Sequence, residues 1–246
     1  MGVLNSPRPE VAVTRAAPEP LGPRREDKFL ATADQAVAFA DWAAGRFEPD
    51  PHTGPDGSYL VVSLYFDTAA FDSFRRGGDG GWPKHRLRSY GSDPELRFLE
   101  EKLRRGDRVW KRRVRCAPGD WPDGAPAGDE PGQLWFRRRW QRLGLRPVLH
   151  VTYRRVAFVS ADGDRVTIDS DLACCAAAPQ GAVSLAAPGP TRAVATPHVI
   201  ELKYAGVPSA PMAAAIARLG QRPVRTSKYS IGVRELGLDP ADGSST

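Results

Sequence analysis

The chain is short of the features that would place it in several common classes. It has three cysteines in 246 residues. Cys174 and Cys175 are adjacent and Cys116 is distant, so neither a disulfide framework nor the spacing of a zinc site is present. We expect buried thiols in a reducing, cytoplasmic setting. No run approaches the ~18 apolar residues of a membrane span, so any tie to a membrane is expected to run through a partner protein. The N-terminal stretch has no hydrophobic signal region with a cleavage site. The glycine-rich segment Arg75 to Pro83 lacks the Gly-Lys-Ser/Thr ending of a phosphate loop and joins no strand to a long helix. There is no internal repeat. Aromatics interleaved with arginine are sparse outside Leu134 to Trp140, which reads as an outer helix packing Leu134, Trp135 and Trp140. Nucleic acid is therefore not an expected partner.

What the chain does have is positive charge. The formal net charge is +6 and the isoelectric point is near 9.5, which favours a polyanionic partner. Arginine far outnumbers lysine, and its planar fork suits phosphate. The hydrophobic fraction of 41% is ordinary for a globular chain of this length, large enough to bury a sizeable core. Residues 1–23, rich in Pro, Ala and Arg, are expected to form a disordered tail, 24–238 the folded part, and 239–246 a polar tail.

Strand signals dominate. Val199, Glu201 and Lys203 alternate with Ile200, Leu202 and Tyr204, the period of a β-strand with two unlike faces. The same habit recurs in residues 24–30, 83–90, 96–105, 107–116, 147–160 and 165–172, and Tyr59 to Phe66 is a strong apolar strand. Arg165, Thr167, Asp169 and Asp171 fall on one face of their strand. Gly106-Asp107 and residues 161–164 are predicted hairpin turns. Thr32 and Gln35 form a capping box ahead of a helix whose expected buried side is Val37, Phe39, Ala40 and Trp42. Residues 133–143 and 208–219 read as helices, and 226–236 as a strand end or a helix. Loops are expected over 48–58, 117–132 and 174–196.

Antiparallel sheets normally turn a polar face to water. Here the sign of that face is biased. Lys28, Arg86, Arg88, Lys102, Lys111, Arg113, Arg155, Arg165 and Lys203 gather on the charged faces of neighbouring strands, where like charges repel. Seven or eight strands suffice for a barrel whose interior holds a ligand, and a basic lining would trap a phosphate chain. Interspersed acids, Glu201 first and then Glu100, Glu26 and Asp169, would supply hard oxygen ligands for a divalent ion.

Several ordered blocks then carry a resemblance: RREDKF from Arg24, YFDT from Tyr65, HRLRSYG from His85, FLEEKLRRGDRVWKRRV from Phe98, YRRVAF from Tyr153, RVTIDSDL from Arg165, VIELKY from Val199 and SKYSIGV from Ser227. From about Arg24 to Leu238 the chain resembles the VTC domain, the catalytic domain of the vacuolar transporter chaperone polyphosphate polymerase. That family belongs to the CYTH-like triphosphate tunnel metalloenzymes. The resemblance implies an α+β fold: an antiparallel eight-stranded β-barrel tunnel with helices packed outside and the charged faces turned inward. It implies that Lys28, Arg86, Arg88, Lys102, Lys111, Arg113, Tyr153, Arg155, Arg165, Lys203, Ser227 and Lys228 grip ATP, triphosphate or polyphosphate. It also implies that Glu201, with Glu100 and Glu26, holds Mn²⁺ or Mg²⁺. The triphosphatase branch opens with Glu-x-Glu-x-Lys. Arg24 replaces the first glutamate here, which favours the polymerase-like branch. No SPX regulatory domain is recognisable, so the eukaryotic setting of the family is not expected to carry over. Three readings stay open: transfer to phosphate or polyphosphate, hydrolysis of a triphosphate, and binding without chemistry.

Overall fold

A computed structural model describes residues 24–77, 81–91, 97–106, 108–117, 131–178, 183–195 and 198–239. The expected tail over 1–23, all of the expected tail over 239–246 except Asp239, Asp107 of the hairpin turn and most of the 117–132 loop lie outside the described residues. Strand β1 (Arg25–Ala31) leads into α1 (Ala33–Ala44), and Thr32 and Gln35 form the expected capping box between them. A two-residue strand β2 (Glu48–Pro49) precedes β3 (Tyr59–Asp67), the short helix α2 (Asp72–Arg75) and β4 (Lys84–Tyr90). Then come β5 (Arg97–Arg105), β6 (Arg108–Cys116), α3 (Pro131–Leu143), β7 (Arg146–Val159) and β8 (Arg165–Ala176). The chain closes with β9 (Arg192–Ala193), β10 (His198–Tyr204), α4 (Ala210–Leu219) and α5 (Lys228–Glu235). Among the described residues no helix is long and apolar enough to cross a membrane.

The sheet is antiparallel and runs β1-β10-β8-β7-β3-β4-β5-β6, with β2 added beside β7 and β9 beside β8. These eight strands are the ones the sequence pattern predicts. The sheet curls until its end strands approach, touching at an isolated bridge between Arg24 and Val109. Arg104 reinforces the closure by donating from Nη2 to the Glu26 carbonyl at 3.1 Å.

The outward faces are apolar and covered by helices. Phe29, Ile168, Ile200 and Leu202 pack beneath Phe39 of α1 and Met212 of α4. Leu64, Phe66, Leu87 and Leu99 pack beneath Phe136 of α3. α5 is different. It sits on the concave side, where Tyr229 stacks on Tyr65 at 5.2 Å and Val233 joins Leu149 and Val151. A Cβ on Gly232 would lie 2.6 Å from Leu149 Cδ2, so only glycine lets α5 sit this close to β7.

Several local expectations are corrected. Val37 is 61% exposed, and the buried stripe of α1 is Ala36, Phe39 and Ala43. The fully buried residue of α3 is Phe136, with Trp135 and Trp140 packed beside it. Residues 48–49 and 192–193 are short strands inside the predicted loops, and β8 runs on to Ala176. Asp171 does not share the inner face with Asp169. The ladder slips by one residue opposite Thr152 to Arg154, Asp171 takes φ 54, and its side chain turns to solvent. The 226–236 segment is a helix capped by Ser227, whose Oγ accepts from Ser230 N at 3.0 Å.

Asp67 pins α5 to the sheet. It is fully buried. Its carboxylate accepts from Thr68 N at 2.7 Å, Ser73 N at 2.8 Å, Phe74 N at 3.1 Å and Tyr229 Oη at 2.6 Å. Removing it orphans several buried donors, each worth about 1–3 kcal/mol. We expect Asp67→Ala to lose at least about 3 kcal/mol of unfolding free energy in urea. A loss below about 1 kcal/mol would contradict this role.

Candidate active site

Ladder register decides which side chains meet, because directly paired residues share a face. Three rungs matter. Lys84, Lys102 and Lys111 face one another across β4, β5 and β6. One step along, Tyr65, Arg86, Glu100 and Arg113 form a rung across β3 to β6. On the other flank Glu26, Lys203 and Arg165 align across β1, β10 and β8, next to Lys28, Glu201 and Thr167. All of these turn inward.

They enclose a cavity of about 1040 Å³. Lys28, Arg86, Arg88, Lys102, Lys111, Arg113, Tyr153, Arg155, Arg165, Lys203, Ser227 and Lys228 all line it, as do Glu26, Glu100 and Glu201. Among the described residues, eighteen lysine and arginine side chains and four carboxylates line it. The cavity therefore holds fourteen more cations than carboxylates, while the whole chain has only six more. Among the described residues outside the cavity, fifteen cations and fourteen carboxylates nearly balance.

Buried carboxylates hold that charge in place. Glu100 is 1% exposed and takes Arg86 Nε at 2.6 Å, Lys111 Nζ at 2.6 Å, Arg113 Nε at 3.4 Å and Arg88 Nη1 at 3.9 Å. Burial would raise its carboxyl. Arg86, then Lys111, Arg88 and Arg113, outweigh burial and hold it well below the usual carboxylate range. Asp169 does not line the cavity. It is bound beneath the surface by Arg155, at 2.6 and 2.8 Å, and by Lys228. Arg155 Nη2 also donates to Tyr153 Oη at 3.4 Å, and Arg165 donates to Tyr59 Oη at 3.0 Å and pairs with Asp50 at 2.5 Å.

Glu26 and Glu201 form a separate acidic pair. Lys28 Nζ lies 3.3 Å from Glu26 Oε1 and 3.7 Å from Glu201 Oε1. Lys102 holds both Glu26 oxygens at 2.7 Å, and Glu201 is met by Lys203 at 2.9 Å and Lys228 at 3.4 Å. Burial opposes ionisation of both. Lys102 and Lys28 overcome it at Glu26, and Lys203, Lys228 and Lys28 do so at Glu201. Glu100 stays with its own four cations, so the expected carboxylate trio is not brought together. Among the described residues no three His, Cys, Asp or Glu side chains converge as a metal site.

The lysine rung is only partly neutralised. Lys84 donates to the Gly77 carbonyl at 2.9 Å. Burial, with Lys28 nearby, pushes it down to about 8. Burial likewise pushes Lys102 down to about 7, although Glu26 pulls the other way. At the far end of β4, burial and Glu100 would raise the Tyr90 hydroxyl. Arg88, Lys111 and Arg113 draw it down to about 7.

Sequence reasoning omitted Lys84, Arg104, Arg222, Arg225 and the tyrosines Tyr59, Tyr65 and Tyr90, all of which line the cavity. Lys84 and Tyr90 sit two residues outside the Arg86 to Arg88 alternation, so a longer reading of that period would have included them. Arg222 and Arg225 gave no such signal. They arrive on an irregular segment that Val224 N ties to the Lys28 carbonyl at 2.7 Å.

A family model described as the VTC domain matches residues 23–236. A putative adenylyl cyclase from Hippeastrum, described with a dominant triphosphatase activity, aligns at a TM-score of 0.52 and 15% identity over 87% of this chain and 96% of that one. The PH1819 protein from Pyrococcus horikoshii OT3 aligns at 0.49 and 15% over 86% and 99%. No curated protein matches. At such identities the Hippeastrum likeness speaks for a shared fold, the CYTH-like tunnel architecture.

The depressed lysines make anion binding proton-linked. A polyanion favours the charged form of Lys84, so binding raises its pKa and takes up a proton. Affinity must then fall as pH rises above about 8. Calorimetry of tripolyphosphate binding at pH 8.5, in buffers of different ionisation enthalpy and without metal, should show proton uptake that Lys84→Met reduces, with Lys102 supplying the remainder. Equal uptake by both proteins would refute the assignment.

Proposed function

This chain belongs to the VTC domain family, and on that premise we propose that it moves the terminal phosphoryl group of ATP onto inorganic phosphate or a growing polyphosphate end. The observation that supports this best is the concentration of charge. Fourteen surplus cations line one internal cavity, while the other described lysines, arginines and carboxylates nearly balance. Such a cavity selects a compact polyanion.

Phosphoryl transfer needs little covalent help from a protein. Positioning and charge stabilisation supply most of the catalysis. Arg86, Arg88, Lys111 and Arg113 are held as one group by Glu100 and together carry three positive charges beyond it. They would hold the phosphate chain in line. Lys28, Lys102, Lys203, Arg155 and Arg165 would complete the grip, with Lys228 fixed by Asp169. Ser227 caps α5 and so places Lys228. Tyr153 supports Arg155.

The Glu26 and Glu201 pair suits a divalent ion. Hard oxygens are present, and the position between the two carboxylates already holds a cation, the Lys28 ammonium. Magnesium is commonly bound by one or two carboxylates plus substrate phosphates, so no third protein ligand is needed. Mn²⁺ or Mg²⁺ held there would offset charge on the transferring group. Glu100, saturated by its cations, is outside this set.

A second reading puts water in place of the phosphate acceptor. It is favoured by the Hippeastrum neighbour, which shares the fold and is described with triphosphatase activity. Incubation with ATP and Mn²⁺ followed by electrophoresis separates the readings. Chains are expected; free phosphate alone would refute transfer, and no turnover with either metal would leave a binding module.

Two variants test the site itself. Arg86→Ala with Arg88→Ala removes two charge-assisted contacts worth roughly 1.5–3 kcal/mol each and should weaken tripolyphosphate binding at least about 100-fold. Unchanged affinity would exclude this flank. Glu201→Gln keeps shape but removes charge. Its metal-free triphosphate affinity should hold or rise, because Lys28, Lys203 and Lys228 lose a competitor, while metal-dependent turnover falls by orders of magnitude. Wild-type turnover in a folded variant would end the metal-ligand role.

A further inference from the structure

The outer face of β5 and β6 is unlike the rest of the exterior. Lys102, Arg104 and Lys111 line the cavity, so the residues that alternate with them face out. Register pairs Leu103 with Trp110 and Arg105 with Arg108 on that outer face. Trp110 is 42% exposed, and Arg105, Arg108 and Arg112 are exposed around it. Toward α3 the Arg112 guanidinium lies 4.1 Å from the centre of the Trp135 ring. Arg138, also exposed, follows one turn along that helix.

Little acidic charge answers this face. Outside the cavity, the described residues of β5, β6 and α3 carry nine arginines and one carboxylate, Glu101. That carboxylate is already taken by Arg139 at 3.2 Å and His85 at 2.9 Å. The other described residues outside the cavity carry six cations and thirteen carboxylates. Five carboxylates from position 107 to position 130 lie outside the described residues. Among the described residues, Arg105, Arg108 and Arg138 pair with no carboxylate. The exterior is therefore polarised, with unpaired arginines gathered beside an exposed tryptophan.

We infer that this flank docks on a membrane surface that carries anionic lipid. Tryptophan favours the bilayer interface, where its ring sits at headgroup level. Leu103 beside it adds apolar area, and the long arginine stems let their charged heads reach lipid phosphates. Arg105, Arg108 and Arg138, held by no fixed partner, can follow mobile headgroups. A single strand of nucleic acid would need several ring faces in succession. Here Trp110 stands alone, and Arg112 already covers Trp135. The inference is independent of the reaction in the cavity. It gives the chain a tie to a membrane that needs no partner protein.

The test is co-sedimentation of the full chain with phosphatidylcholine vesicles, with and without about 30% phosphatidylserine. Binding is expected only to the anionic vesicles. Each arginine near such a surface is worth about fivefold, so Arg105→Glu with Arg108→Glu should weaken binding at least about 30-fold. Arg105→Gln with Arg108→Gln, a milder change that guards against misfolding, should still lose at least about fivefold. Arg46→Glu with Arg218→Glu alters net charge as much as the first pair on another exposed face, and should stay within about twofold of wild type. Trp110→Ser should lose at least about threefold at every salt concentration, because it removes apolar area, whereas the arginine losses shrink as salt rises. Absence of binding to the anionic vesicles, or equal losses in the two glutamate pairs, would overturn the inference. So would a single-stranded RNA that binds through Arg105 and Arg108 and displaces the vesicles.

Discussion

Repulsion among buried cations is the constraint on which the rest of this structure depends. Lysines and arginines stand side by side on adjacent strands facing inward, an arrangement that costs stability in an empty sheet. The fold tolerates it because four inward or subsurface carboxylates are each shared among several cations. Glu100 serves Arg86, Arg88, Lys111 and Arg113. Asp169 serves Arg155 and Lys228. Glu26 and Glu201 divide Lys28, Lys102, Lys203 and Lys228. Each carboxylate is outnumbered, so the clusters hold together and still leave a surplus for a ligand. A buried charge left without its partner is strongly destabilising, which makes these acids structural as much as functional.

A polar interior also needs a core somewhere else. An ordinary barrel buries its apolar side chains inside. Here the strands are turned the other way, and helices supply the missing apolar partner from outside: α1 and α4 over one flank, α3 over the other. α5 is the exception and the link. It reaches the concave side through Gly232 and is pinned by the Tyr229 hydroxyl to Asp67. Its first residue, Lys228, thereby reaches Asp169 beneath the cavity wall and Glu201 in the cavity. The stability of that corner and the composition of the site are one problem.

The same geometry divides labour along the cavity. The acidic pair Glu26 and Glu201 lies on the β1–β10 flank and the Glu100 cluster on the β4–β6 flank.

The sequence by itself determined most of the strands and which face of each is charged, because period-2 alternation is a local property; that those faces turn inward was implied by the family resemblance and is decided by the curl of the sheet. It also determined the capping box at Thr32 and the identity of the basic residues on each strand. It could not decide which carboxylate meets which cation. Glu26, Glu100 and Glu201 look equivalent in the pattern, each two residues from a base. Only the cross-strand register and the curl of the sheet separate Glu100, enclosed by four cations, from the pair that shares Lys28. Local signals failed too where tertiary contact overrode them. The slip opposite Thr152 to Arg154 turned Asp171 outward. The apolar partner of α1 lay along Ala36, Phe39 and Ala43, not Val37. The irregular segment bearing Arg222 and Arg225 reached the cavity through one backbone bond to β1. Alternation says which faces exist; the distance between residues far apart in the chain is fixed by packing alone.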